Sequence, residues 1–320
     1  MTEHKLLNTY DALYKGKRFW TRKLITGGRH SVMFSYIARA IKGKKFLDAF
    51  AGGGRLSFMA SRVAKLVDSY DFAPEAKQMC DLIKSATGVT NIDFTVADSQ
   101  SFKAQNAPYD VIAISGTLEN LDDVDANMKL LTSWLKPRGL FAIDCPHFLN
   151  FRGDVYNTLA KFLGMPMTKT DQRQINTLFI QDLCRKFGYK LEAQAGLSYS
   201  LGWGELAVTD LTERISYAMR DRGLKEGEVK FEELIKWLRE QTAIYNSLVL
   251  EPLKKTGVFK KIKKVVVPPL KKLNEVISDP GLREMVAVYY NDDFSKDQYY
   301  SEKAPWNSLG GNTVYILRKK

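Results

Sequence analysis

The stretch FLDAFAGGGRLSF, residues 46 to 58, runs from an apolar segment into an acid, Asp48, and then into Gly52, Gly53 and Gly54. Directly afterwards Leu56, Met59, Ala60 and Val63 fall at helical spacing. Strand, glycine turn, helix is the order that brings backbone N–H groups and the positive end of a helix to one point. Glycine lets a ligand approach the backbone closely. A single unit of this kind fits several nucleotide-like ligands, so the flanking sequence has to narrow it.

Downstream, LVDSYDF reads as a strand and PEAKQMCDLIKSAT as a helix, with Pro74 at its first position. NIDFTVAD and YDVIAIS are further strands. DDVDANMKLLTSWLKPRG is a helix that opens on acids and stops at Pro137 and Gly139, and LFAIDCP is the next strand. DQRQINTLFIQDLCRKFG is helical, YKLEAQAGLSYS alternates like a strand, and GNTVYILRK closes the chain as another. Strands alternating with helices predict an α/β fold built on a doubly wound, mainly parallel sheet. Between the last two strands lies a mainly helical block. TDLTERISYAMRDRG predicts a helix with a capping box from Asp210 to Glu213. In the next helix Phe231, Leu234, Ile235, Trp237 and Leu238 form a core-facing stripe.

Three acids close the strand ends. Asp48 sits just before the glycine turn, where a carboxylate is unwelcome beside a pyrophosphate but welcome beside a cation. Asp71 ends the second strand, where a carboxylate takes two ribose hydroxyls. Asp98 ends the third, where it can accept from an exocyclic amine. A ligand with a cationic amino acid end, a ribose and an adenine uses all three, and S-adenosylmethionine has those parts without a phosphate. A near-miss to a dinucleotide fingerprint explains Asp48 and Asp98 poorly.

Residues 44 to 147 resemble the class I S-adenosylmethionine-dependent methyltransferases, through LDAFAGGG, SYDFAPEA, TVADSQSF, YDVIAISGTLENLDD and LKPRGLFAIDCP in order. The late strands YKLEAQAGLSYS and NTVYILRKK resemble that family's last two. The resemblance implies a seven-stranded sheet whose final strand is antiparallel. It implies S-adenosylmethionine as cofactor, held by Asp48, Phe50, Ala51, Gly52, Gly54, Asp71, Phe72, Asp98, Ser99 and Ser115. It also implies a basic lid segment over residues 1–43, a cofactor-binding core over 44–203, a helical insertion over the acceptor at 204–300, and a returning strand at 301–320. One departure is Phe50, where the family's glycine loop usually has Gly; its ring is expected to pack under the turn. The form DAFAGGG is closer to loops of several nucleic-acid methyltransferases. The Pro-Pro-aromatic signature of base-amino methylation is replaced by SGTLEN at 115–120, which argues against that chemistry.

Methyl transfer from a sulfonium is an in-line displacement that depends chiefly on positioning, aided by a base where the acceptor must lose a proton. Candidates at the carboxyl ends of the strands are Glu119 and Asn120, then Asp144, Cys145 and His147. Of three histidines, with His4 and His30, His147 is the one the sequence order places near that edge. His147 and Glu119 are the candidate catalytic groups. A pyrimidine-C5 role for Cys145 lacks its companion proline-rich motif, and a small buried cysteine is the simpler reading. Candidate substrate contacts are Tyr14, Lys17, Arg18 and Trp20 in the lid segment and Trp203 ahead of the insertion.

The 320 residues carry a net charge of +12, with 11 Lys/Arg against 2 Asp/Glu in residues 1–47 and eight lysines without an acid in 254–272. Such patches suit an anionic acceptor, RNA or an anionic membrane surface. The leading expectation is an enzyme acting on a small-molecule or lipid-like acceptor. The alternatives are an RNA methyltransferase and a non-catalytic cofactor-binding module. Peripheral membrane contact through residues 254–272 is a further expectation, with Pro268 and Pro269 breaking any long helix there. No apolar run approaches a membrane span, and the N-terminus shows no secretory pattern. Three scattered cysteines form no metal or disulfide framework, so a cytoplasmic protein is expected.

Overall fold

A computed structural model describes residues 28–162, 172–221, 230–261, 267–291 and 299–320. The chain begins there with α1 (Arg29–Ile41), β1 (Lys45–Ala49), α2 (Arg55–Ser61), β2 (Leu66–Asp71), α3 (Pro74–Thr87), β3 (Ile92–Val96), β4 (Tyr109–Ser115), α4 (Val124–Trp134) and β5 (Leu135–Pro146). From β1 to β5 the alternation is that which the periodicity predicts, except that α4 ends at Trp134 and the strand β5 takes in Leu135, Pro137 and Gly139, which the sequence pattern assigns to the helix. Pro74 stands at the start of α3, and Gly88 closes it in the left-handed conformation. Asp123 caps α4 by accepting from the Ala126 N–H at 2.9 Å.

The second half supplies α5 (Phe151–Phe162), α6 (Thr177–Phe187), β6 (Tyr189–Leu197), α7 (Tyr199–Trp203) and α8 (Glu205–Asp221). It continues with α9 (Phe231–Tyr245), a π turn (Asn246–Leu250), α10 (Glu251–Lys254), β7 (Lys260–Lys261), α11 (Leu273–Val276), α12 (Pro280–Asn291), β8 (Tyr299–Ser301) and β9 (Asn312–Lys319). The sheet order is β3-β2-β1-β4-β5-β9-β6-β8-β7. Strands β1 to β5 pair in parallel, and β9 runs antiparallel between β5 and β6.

The sheet has nine strands instead of the expected seven. The two extra strands, three residues and two residues long, come from the block read as helical and extend the β6 edge. They are too short to carry an alternating pattern. The helix predicted to begin at Asp210 begins at Glu205 instead. Asp210 is thus inside α8, where it binds Arg152 and Arg214, each at 2.9 Å. The capping box is therefore corrected to a buried ion cluster joining α5 to α8.

One apolar layer packs α1, α2, α3 and α12 on one face of the sheet, with Met33, Ile37, Phe58, Ile83 and Val286 fully or almost fully buried. The other layer holds Leu131, Phe141, Ile180 and Leu317 beneath α4 and α6. A third cluster, with Phe151, Leu211, Ile235 and Leu238, ties α5 to α8 and α9. The stripe on α9 is split: Ile235 and Leu238 are buried there, whereas Trp237 is 44% exposed.

Candidate active site

The strand order reverses between β1 and β4, and at such a switch point an open parallel sheet forms a crevice at its carboxyl edge. A cavity of about 690 Å³ lies there, within the range of small-molecule sites. Of the residues the sequence singles out for the cofactor, Asp48, Phe50, Ala51, Gly52, Asp71, Phe72, Asp98, Ser99 and Ser115 line it. Gly54 does not. It takes φ +83 at the head of α2 and so makes the turn rather than the wall.

Asp48 is 2% exposed, and its carboxylate accepts from the Ser57 hydroxyl at 2.5 Å. Burial pushes its carboxyl up to about 7, the Ser57 bonds oppose this, and the nearby charges of Asp71 and Asp144 add to the rise. No lysine or arginine pairs with Asp48 among the described residues. Asp71 accepts from the Gly52 N–H at 2.9 Å and the Ala73 N–H at 3.0 Å, which clamps the glycine loop to the end of β2. Burial nevertheless lifts Asp71 to about 6. Asp98 is far more open. The Ser101 hydroxyl, 2.6 Å away, and the backbone N–H groups of Ser101 and Gln100 hold it below the usual carboxylate range.

Phe50 has φ +57, the left-handed region that favours glycine. Its ring meets Tyr70 edge-on at 5.1 Å, and Tyr70 stacks on Phe102 at 4.5 Å. The ring thus packs against the layer beneath the turn. Those contacts hold a non-glycine residue in a glycine conformation.

The candidate catalytic residues fall elsewhere. His147 is fully buried and does not line the cavity. Its N–H bonds the Gly311 carbonyl at 3.0 Å, and its own carbonyl accepts from Asn150 and Arg152. Burial, with Arg152 adding to it, lowers the imidazole to about 4. His147 is therefore corrected from base to structural residue. Glu119 is 4% exposed and also lies off the cavity wall. Trp203 donates its indole N–H to the Leu309 carbonyl at 2.7 Å and packs on Tyr245, so it is a packing residue and not a cavity contact. Cys145 is fully buried, and burial pushes its thiol well up, away from thiolate chemistry. Tyr14, Lys17, Arg18 and Trp20 lie outside the described residues.

Apart from Asn120, a strand-end candidate in the sequence, the residues that complete the wall were not singled out from sequence. Arg29 and His30, in the first turn of α1, face the end of β4. The Ser115 hydroxyl donates to Asp144 and lies 3.0 Å from His30 Nε2, and Arg29 Nη1 is 3.5 Å from Asp144. Asn120, Asp122, Asp123 and Asn127 come from the turn after β4 and the start of α4. Tyr289 comes from α12, more than two hundred residues beyond the glycine loop it covers. The Arg55 guanidinium lies 4.2 Å over its ring. No sequence signal marks Tyr289, because its place depends on how the insertion folds back. For His30 the signal was present, a histidine 18 residues before Asp48 at the start of an amphipathic run.

A family model described as a methyltransferase domain matches residues 41–196. The ubiquinone biosynthesis O-methyltransferase of Xanthomonas axonopodis pv. citri (strain 306) is 30% identical over 111 residues, 34% of this chain and 46% of that protein. The protein of the same name from Xylella fastidiosa (strain 9a5c) is 30% identical over 135 residues, 41% of this chain and 51% of that protein. The chain thus spans about half the length of these curated relatives. Among solved structures, YjhP from E. coli superposes with a TM-score of 0.51 at 13% identity, covering 97% of this chain and 100% of that one. A Bacillus halodurans C-125 protein assigned as a methyltransferase gives 0.50 at 10% identity, covering 92% and 99%. At such identities these two matches concern the fold.

Proposed function

We propose, from the premise that residues 41–196 are a methyltransferase domain of the class I, S-adenosylmethionine-dependent kind, that this chain methylates a small organic acceptor at oxygen. The observation that carries this reading is Asp48: a buried acid at the base of the glycine loop with no cation beside it among the described residues. A pyrophosphate would place like charge against it, whereas a ligand bearing an ammonium and a sulfonium answers it. The residues therefore fit S-adenosylmethionine.

In this reading Asp48 and the loop N–H groups would hold the amino acid end of the donor. Asp71 would take the ribose, and Phe72, Asp98 and Ser99 the adenine. The bound donor supplies an electrophilic methyl group on sulfur. The chain's own task is to fix the acceptor in line with it and to exclude water. Arg29, His30, Asn120 and Tyr289 line the rest of the same cavity and would hold the acceptor. Oxygen methylation is carried over from the curated relatives, which are named O-methyltransferases of ubiquinone biosynthesis. A small, partly apolar acceptor agrees with Phe50, Leu56, Leu121 and Tyr289 in the wall. The insertion would act as the acceptor's cover, through Tyr289.

The test is a titration of the full chain with S-adenosylmethionine, S-adenosylhomocysteine and NAD⁺ in parallel. The first two are expected to bind one per chain and NAD⁺ to fail. Preferential binding of NAD⁺ would overturn the reading.

A further inference from the structure

We propose that Arg55 grips the carboxylate of the donor's amino acid end, with Tyr289 of the insertion as its positioning residue. The inference rests on the methyltransferase reading above.

Arg55 is the first residue of α2 and directly follows Gly54. Only 7% of it is exposed. A charge so deeply buried is costly unless it is paired and hydrogen-bonded. Among the described residues no acceptor meets its sealed Nε, and no carboxylate pairs with it. What holds it is the Tyr289 ring, 4.2 Å from the guanidinium carbon. A ring attracts the charge through its quadrupole and leaves most of the five N–H donors unspent. Tyr289 in turn lies against Gly53, and Arg55 and Tyr289 both line the cavity. A buried cation is thus fixed beside the glycine loop with donors to spare.

The charges around it point to what it receives. Five aspartates line the cavity, Asp48, Asp71, Asp98, Asp122 and Asp123, against Arg29, Arg55 and His30. An amino acid end whose ammonium sits on Asp48 carries its carboxylate on the same carbon. Among so many acids that carboxylate is repelled unless a cation meets it. The loop backbone offers it little. The Gly52 N–H is spent on Asp71 at 2.9 Å and the Gly54 N–H on the Ala51 carbonyl at 3.0 Å. Arg29 stands apart from the loop, against Gly116 just past β4, and Asp144 already answers its charge at 3.5 Å. Arg55 stands at the loop itself. Ser57, two residues on in the same turn of α2, is the residue that binds Asp48. The acid for the ammonium and the arginine for the carboxylate therefore flank one helical turn. Through Tyr289, the insertion takes part in binding the donor as well as in covering the acceptor.

The experiment is calorimetry on the full chain with S-adenosylmethionine and with its decarboxylated form, which keeps the ammonium, the sulfonium and the adenosine. In a cavity so rich in acids, overall charge favours the decarboxylated, more positive ligand. The opposite is expected of the wild type: at least tenfold weaker binding of the decarboxylated form, because a charged hydrogen bond is lost. In Arg55→Met the gap is expected to close to within about twofold, with S-adenosylmethionine the ligand that weakens. Should that variant not fold, Arg55→Gln carries the same expectation. Tyr289→Leu is expected to narrow the gap, and Tyr289→Phe, which keeps the ring, to preserve it. A merely structural Tyr289 would weaken both ligands alike, which would overturn its positioning role. Equal binding of the two ligands by the wild type would overturn the proposal. So would a full gap retained in the Arg55 variants, the result expected if Arg55 instead served an acidic group on the acceptor. If S-adenosylmethionine does not bind the wild type, the methyltransferase reading falls. Normal S-adenosylmethionine binding without the gap removes only the role of Arg55.

Discussion

The Tyr289 ring lies against the bare backbone of Gly53 so closely that a side chain on Gly53 would overlap the ring carbons as well as the hydroxyl. Here the insertion touches the glycine loop directly. Gly53→Ala should therefore destabilise the protein by about 1–3 kcal/mol through overpacking. Adding Tyr289→Ala should return part of that loss. Denaturant melts of the two single variants and the double variant measure the coupling. Strict additivity would mean that the ring and the loop are not in contact.

Phe50 offers a cleaner backbone test, because φ +57 disfavours any residue with a Cβ. Phe50→Ala and Phe50→Gly both lose the ring contacts with Tyr70. Glycine should be the more stable of the two by about 1–2 kcal/mol. Urea midpoints compare them directly, and an alanine variant equal to or better than glycine would contradict the assigned turn.

Asp210 is a buried carboxylate that pairs with both Arg152 and Arg214, each at 2.9 Å. Burial alone would raise it. The two guanidinium groups outweigh that and hold it below the ordinary carboxylate range. Asp210→Ala removes a buried carboxylate from beside two guanidinium groups and should cost about 3–5 kcal/mol. A thermal melt within a degree or so of wild type would show that α5 and α8 do not depend on this cluster.

The acids of the cavity set a pH dependence. Asp48 at about 7 and Asp71 at about 6 both lie above the unfolded carboxylate range. The unliganded fold thus keeps protons that the unfolded chain gives up. This contribution to stability is full below about pH 4 and is lost as pH rises through about 6 to 7. Asp48→Asn should flatten that decline in pH-dependent melts. A cationic donor favours ionised Asp48, so its binding near pH 6 to 7 should release protons. Binding enthalpies that do not vary with the ionisation enthalpy of the buffer would contradict this.

Much of the donor side was legible because it is local. Asp48, the glycine turn, Asp71 and Asp98 stand at strand ends, and a strand end followed by a helix start determines where a short side chain lies. The part of the wall proposed for the acceptor is assembled from distant segments and, Asn120 apart, was not legible. His30 reaches the site because α1 packs across β4 and β5, and Tyr289 because α12 folds back over the loop. His147 follows β5 in sequence, yet its N–H pairs with Gly311 and the residue is buried there. Sequence order alone cannot separate the rim of a cavity from the packing behind it. The extra strands β7 and β8 escaped for a related reason. Two or three residues become a strand only when an edge such as that of β6 is already present to pair with.

The most direct measurement of the central claim is calorimetry of S-adenosylmethionine binding to the wild type and to Asp71→Ala. The account predicts one site per wild-type chain. It predicts an affinity lower by tenfold or more in the variant, since a hydrogen bond to a charged group contributes about 1.5–3 kcal/mol. Equal affinity in the two proteins, or no binding to the wild type, would contradict it.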